Sequence, residues 1–427
     1  MADTHLGAFR DPVLRQLNLE AFLRALEVVR EEGCQFLVIA GDLFDTNLPD
    51  MDVVDRAAEG LHDLVEAGVR VYVLYGSHDR SLTEKGIVDV LESAGLFENV
   101  GVLDPEGLGG EEVHLTKDGP TGAVLTAVGG RRLSLERALF ETVDWGPLEE
   151  AVRDAPLAIF GYHGPVEGMM PEELAMIETL DRGRLPKGFH YYALGHVHHH
   201  AVREVPGGGT AVYPGTTFGG GFSDLADGRH KGLVIVDADD GGVCRPRFVP
   251  IEMARIDGLE IDVAGRTADE AGEELRGTVG SHDPSSGSIV LLRVHGTLSY
   301  GRPADLGITA ARDDLLERGA KAVFVNRRGL RRAQATAGEG SGATPGADRA
   351  EIEDRALRDA LDGYATPVPW LRGEEGIALA RELLAVVKEE RGEQSATRYQ
   401  ERVVARAMEV LALHQRPGPG DEGGGDG

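Results

Sequence analysis

Leu19, Phe22, Leu23, Leu26 and Val29 recur at the spacing of one helical face, and the β-rich run QFLVIA at 35–40 follows at once. Further apolar runs of strand length are VYVLY (71–75), AVLTAV (123–128), PLAIFG (156–161), FHYYAL (189–194) and KGLVIVD (231–237). Strands alternating with helix-like stretches over residues 1–250 predict a layered α/β domain. Residues 251–330 repeat the pattern on a smaller scale: GLEIDVAG, the helical TADEAGEELRG, SIVLLRVHGTL, a second helical run and KAVFVN. This predicts a smaller α/β module able to cover a face of the first domain.

The stretch RRAQATAGEGSGATPGADRA, 331–350, has the composition of a flexible linker. Beyond it, residues 351–413 carry two amphipathic segments. Ile377, Ala380, Leu383, Leu384 and Val387 share one face of the first; Tyr399, Val403, Ala407, Met408 and Leu411 share one face of the second. Two such helices have little core of their own, so a partner's groove is their expected destination. The tail at 414–427, ending PGPGDEGGGDG, reads as disordered.

Charge and cysteine content narrow the possibilities. The 427-residue chain has a formal net charge of −28, which argues against polyanion binding by the whole surface. Any nucleic-acid contact must be local, and bound cations can reconcile an acidic surface with a phosphate site. Arg327, Arg328, Arg331 and Arg332 form the one dense basic cluster, a candidate for DNA backbone or simply a solvated strand end. The two cysteines, Cys34 and Cys244, are read as reduced. Neither a membrane span nor a signal peptide is evident, so the expected address is cytoplasmic.

Five motifs occur in order: DTH at 3–5, GDLFD at 41–45, GSHD at 76–79, GYHG at 161–164 and GHVH at 195–198. Four follow a predicted strand, which puts their polar side chains on loops at one edge of a sheet, where α/β sites are built. Mixed carboxylates and imidazoles suit divalent Mn, Fe or Zn; two such ions about 3.5–4 Å apart clamp a phosphoryl group and activate water. A second GSHD at 280–283 lacks companions, is followed by PSSG, and is read as a surface loop.

In this set the chain resembles the calcineurin-like metallophosphoesterases. Within them it is most similar to repair nucleases of the SbcD, or meiotic recombination eleven, type, on DTHLG, AGDLFD, YPGTT at 213–217 and KGLVIVD. HGTLSYGRPADL resembles that branch's capping domain more faintly. The resemblance implies a metallophosphoesterase β-sandwich flanked by helices, with a smaller α/β capping domain and C-terminal helices. It implies two divalent ions, manganese foremost: Asp3, His5, Asp42 and His198 hold one, Asp42 bridges, and Ser77, His163 and His196 complete the other. His78 is then the catalytic histidine and Asp79 its orienting partner. His199 and His200 fall outside the ligand set, while Asp45 and Arg80 flank it.

The implied activity is a DNA exonuclease on duplex ends and an endonuclease on single strands, in double-strand-break repair. The implied partners are DNA, a second copy of the chain and a coiled-coil ABC-type ATPase docked on the C-terminal helices. A small-molecule phosphodiesterase or phosphatase and a non-catalytic scaffold are the alternatives. Two departures stand out. Ser77 occupies the place of an asparagine, and its hydroxyl is a poorer metal ligand than an amide oxygen. Asp3 is expected to follow a central strand, yet only Met1 and Ala2 precede it. A start codon placed too late is the expected cause; a shortened chain with a gap in its sheet is the alternative.

Overall fold

The computed structural model describes residues 1–79, 85–102, 114–130, 139–171, 177–239, 241–284, 287–332, 358, 373–388 and 396–413. Arg80, most of the proposed linker and the tail lie outside them. The chain divides into two compact units, Met1–Ala333 and Gln334–Gly427.

The first unit opens with helix α1 (Pro12–Glu31), whose N-cap Asp11 accepts the amides of Val13 and Leu14. Strand β1 (Phe36–Ala40), helix α2 (Met51–Glu66), strand β2 (Arg70–Leu74) and helix α3 (Ile87–Ser93) follow. The short strands β3 (Glu98–Asn99), β4 (Gly101–Val102) and β5 (Thr116–Lys117) lead to β6 (Val124–Val128). After helices α4 (Leu139–Thr142) and α5 (Gly146–Ala151) come β7 (Ala158–His163) and β8 (Tyr191–Gly195). Then come β9 (Ala201–Glu204), β10 (Thr210–Tyr213), helix α6 (Phe222–Ala226), β11 (Gly232–Ala238) and β12 (Cys244–Pro250).

These strands make two facing sheets, β1-β2-β3 and β4-β6-β7-β8-β10-β9, with β11-β12 as a separate antiparallel pair. The strands were legible as apolar runs because a sheet covered on both faces needs apolar side chains at nearly every position; β7 and β8 are buried throughout. Between the sheets lie Ala40, Tyr72, Leu74, Leu125, Ala127, Ile159, Ala193 and Val212. Leu14, Phe22, Leu26 and Leu61 from the first two helices cover the outside of the first sheet. Phe160, Tyr162, Tyr192 and Tyr213 fill the outside of the second with Phe140 and Leu148. This is the expected β-sandwich flanked by helices.

The smaller module has its own core, including Ile261, Leu275, Val290, Leu292 and Leu315. Its parallel sheet comprises β13 (Ile256–Asp262), β14 (Ile289–Leu298) and β15 (Ala322–Asn326), covered by α7 (Ala268–Ser281) and α8 (Ile308–Glu317). A last strand, β16 (Leu330–Arg332), pairs with β14. Arg331 and Arg332, assigned by composition to the linker, are thus in the sheet: Gly296–Leu298 leaves a free edge that they complete. The second GSHD closes α7, with Gly280 and Ser281 in its final turn, His282 at its C-cap, and Arg318 donating to the Gly280 carbonyl.

In the second unit, α9 (Gly373–Lys388) and α10 (Ala396–Leu413) lie side by side, and the Tyr399 hydroxyl donates to the Val387 carbonyl. Val387, Val404 and Met408 are exposed. No helix among the described residues is long and apolar enough to cross a membrane.

Residues 1–6 run beside β1 and the loop after it. The amides of Ala40, Asp3, His5 and Leu6 donate to the carbonyls of Met1, Gly41, Asp42 and Leu43 respectively, at 2.8–3.0 Å. Fully buried Asn18 on α1 secures this segment: its amide donates to the Thr4 carbonyl at 2.8 Å and its oxygen accepts the Gly7 amide at 3.3 Å. Asn18→Leu leaves two backbone groups unpaired, and a loss of about 1–3 kcal/mol for each buried one is expected. A urea midpoint unchanged in the full-length variant would show that Asn18 is not the anchor.

Candidate metal centre

The sequence motifs converge where the C-terminal ends of the two sheets meet. Asp42 follows β1, Ser77 and His78 follow β2, His163 ends β7, and His196 and His198 follow β8. Ligating atoms of Asp3, His5 and His198 lie within 4.8 Å of one another, as do those of His5, Asp42 and His78, and those of Asp3, Asp42 and His163. The three groups overlap, so six side chains from four strand ends and the 1–6 segment share one site.

The backbone here is under visible constraint. Among the described residues, the non-glycine residues with positive φ are Asp3 (52°), His5 (43°), Asp42 (52°) and His196 (91°), all from the predicted ligand set. Such conformations cost on the order of 1–3 kcal/mol each and persist where surrounding structure enforces them. The motif glycines permit the close approach: a Cβ on Gly195 would sit 1.8 Å from the Ala40 carbonyl oxygen, and one on Gly76 would sit 2.1 Å from Asp42 Oδ1.

Asp42 is the hub. Its Oδ1 accepts the His78 amide at 2.8 Å; its Oδ2 lies 3.2 Å from His163 Nε2 and 3.8 Å from His5 Nε2. His163 Nδ1 donates to the Ala40 carbonyl at 2.9 Å, which leaves Nε2 of a neutral ring as a lone pair facing a carboxylate. That Nε2 is buried and makes no hydrogen bond. Burial works to lower the pKa of His163, but the negative charges of Asp42 and Asp3 outweigh it and push it up to about 10. Burial works to raise that of Asp42, yet His163 and His5 hold it well below the carboxylate range. Asp3 is raised by burial, and His196 is brought down to about 4 by burial and by His163. A site that drives protons onto imidazoles beside buried carboxylates has the charge distribution a cation would neutralise. The donor set, three overlapping groups with an orphaned buried nitrogen between carboxylates, therefore fits divalent metal.

The remaining predicted residues sit differently. His196 lies outside the three groups; its amide donates to the Asp3 carboxylate at 2.9 Å and its ring centroid is 5.5 Å from that of His163. Ser77 is half-buried between Gly76 and His78. Asp79 requires a correction. Its Oδ1 accepts the amides of Leu43 and Phe44 at 3.0 and 3.3 Å, and its Oδ2 accepts the Gly76 amide at 2.9 Å. It ties the two ligand loops together, whereas the His78 ring is held by the Asp45 carbonyl, 2.6 Å from Nδ1. The motif resemblance had made Asp79 the partner of the His78 ring, but its carboxylate oxygens are taken up by backbone amides. Asp45 also places its carboxylate 3.2 Å from His5 Nδ1. His200 donates to the Tyr213 carbonyl and lies over Phe248, a packing role. Sequence reading missed Asp224, 3.0 Å from His198 Nδ1; the sequence FSDLA carries no signal for it.

Residues 1–200, the stretch that carries all five motifs, match the calcineurin-like phosphoesterase family model. The chain is 32% identical over 288 residues to the DNA double-strand break repair protein Mre11 of Methanopyrus kandleri, covering 65% of this chain and 60% of that one. It is 28% identical over 288 residues to the Mre11 of Archaeoglobus fulgidus, covering 61% and 60%. It is 25% identical over 259 residues to the uncharacterized metallophosphoesterase YhaO of Bacillus subtilis, covering 57% of each. The chain thus spans about three fifths of the length of these relatives.

The two neighbours in GSHD should behave oppositely. Asp79→Ala orphans three buried amides and is expected to cost at least about 3 kcal/mol. His78, with 45% of its side chain exposed, should tolerate alanine within about 0.5 kcal/mol. Thermal unfolding of both variants checks this, and equal losses would contradict the separation of roles.

Proposed function

We propose that this chain is a divalent-metal-dependent DNA nuclease of double-strand-break repair. The carrying observation is the convergence of Asp3, His5, Asp42, His78, His163 and His198 in one cluster of carboxylates and imidazoles at the C-terminal sheet ends. Asp3, His5, Asp42 and His198 would hold one ion, with Asp42 shared; Ser77, His163 and His196 would complete the other. Two divalent ions, manganese foremost, would supply Lewis acidity toward the phosphodiester and an activated water.

The chain's own residues do the rest. Ala40 fixes His163, and the strained turns at Asp3, His5 and Asp42 hold their side chains in place before substrate arrives. His78 stands at the exposed rim, its ring centroid 4.9 Å from that of His5. With Nδ1–H donated to the Asp45 carbonyl, Nε2 carries a proton in the imidazolium form, and that proton would pass to the departing sugar oxygen and leave the neutral ring. The similarity to DNA double-strand break repair proteins supports DNA as substrate; exonucleolytic cutting of duplex ends and endonucleolytic cutting of single strands rest on the motif resemblance. The same motif resemblance is the ground for a homodimer and for a coiled-coil ABC-type ATPase received by α9 and α10. Residues 1–250 would form the nuclease domain, 251–332 the capping module and 351–413 the partner-binding segment. An intracellular, nucleoid-associated location follows from that role.

The test is manganese-dependent degradation of end-labelled duplex DNA by the full chain beside His78→Ala. A loss of about 10²–10⁴-fold with Mn²⁺ binding retained is expected. Undiminished cutting by the variant overturns the role of His78. Hydrolysis of a chromogenic phosphodiester but not DNA would favour a small-molecule enzyme, and inactivity of both proteins, with or without an ATPase, would favour a scaffold. Ser77→Asn should tighten one of two Mn²⁺ sites, since an amide oxygen is the better neutral ligand; an unchanged calorimetric titration would refute this.

A further inference from the structure

We propose that Asp224 is a positioning residue for His198, fixing the tautomer and aim of that imidazole toward a metal ion; this rests on His198 being a metal ligand. His198 Nδ1 lies 3.0 Å from Asp224 Oδ2, and the same oxygen accepts the Gly220 amide at 2.8 Å. A carboxylate has only acceptors, so the proton of a neutral His198 must sit on Nδ1, and Nε2 is left as a lone pair. That Nε2 faces His5 Nε2 at 3.1 Å, within the group formed with Asp3. Two imidazole nitrogens at this distance, beside a buried carboxylate, suit a shared cation.

The carboxylate is itself held. Asp224 lies on the five-residue helix α6, entered through Gly219, Gly220 and Gly221, where the chain passes so close to the site that a Cβ on Gly220 would be 3.3 Å from the His5 ring. Leu225 of α6 is buried, and the Phe222 ring packs at 5.3 Å and 68° against Phe324 of β15. Phe324 in turn meets Phe9 at 5.8 Å, and Phe9 meets Phe218 at 5.6 Å. The capping module is therefore part of what keeps Asp224 beside His198. Carboxylate partners of metal-bound histidines fix ring orientation and raise ligand basicity.

Calorimetric titration with Mn²⁺ of the full chain, Asp224→Ala, Asp224→Asn and His198→Ala tests this. Asp224→Ala is expected to weaken one Mn²⁺ site about 10–100-fold, the same site that His198→Ala removes. Asp224→Asn should restore most of that affinity, because an amide oxygen in the place of Oδ2 still accepts both N–H groups. Wild-type titration by Asp224→Ala, no recovery in Asp224→Asn, or loss at the site His198→Ala leaves intact would each overturn the assignment. A wild-type chain that takes up no Mn²⁺ would instead remove the metal reading beneath it.

Discussion

One buried carboxylate joins the two sheets. Asp42 lies in the left-handed region just past β1, 2% exposed, with its oxygens turned to the His78 amide on one side and to His163 and His5 on the other. An ionised carboxylate at this depth is tolerable only if its surroundings return what water supplied. The arrangement around it follows from that requirement. The His78 loop is brought in by Asp79, which binds the amides of Gly76, Leu43 and Phe44. The His163 ring is set by the Ala40 carbonyl, and the 1–6 segment is laced to residues 40–43. Each contact serves both as packing and as placement of a donor atom.

The division between what was legible and what was not follows from how local each constraint is. Strand positions were readable because β7 and β8, covered on both faces, require continuous apolar runs. The motif glycines were readable because Gly76 and Gly195 stand where any Cβ would strike Asp42 or Ala40. Asp79 and Asp224 were misread or missed because their partners are backbone amides or a ring many residues away. Aspartate is common on turns and surfaces, and only the folded chain reveals which one is aimed inward. Arg331 and Arg332 belonged by composition to the linker, yet an open edge on β14 draws them into the sheet.

The strongly acidic chain and its proposed polyanionic substrate are reconciled by the same chemistry. The formal charge of −28 belongs to the whole chain, whereas a phosphodiester approaching the site meets the field of whatever the carboxylates and imidazoles hold. Arg327, Arg328, Arg331 and Arg332 are exposed after β15 and in β16 of the smaller module, a local concentration of positive charge in an otherwise acidic sequence. Local contact of this kind is compatible with DNA handled at a few phosphates rather than along a broad basic surface.

Asp224 extends the site's dependence beyond the β-sandwich itself. His5, His78 and His163 are held by residues of the sandwich and its loops, and small adjustments there are resisted by the interior of both sheets. His198 is different: its partner stands on a short helix whose outer face is covered by an aromatic ring from the capping module. A five-residue helix has little stability of its own, so its position must come from what packs on it. In the proposed enzyme, then, the capping module would help to build the metal centre as well as shape its approach.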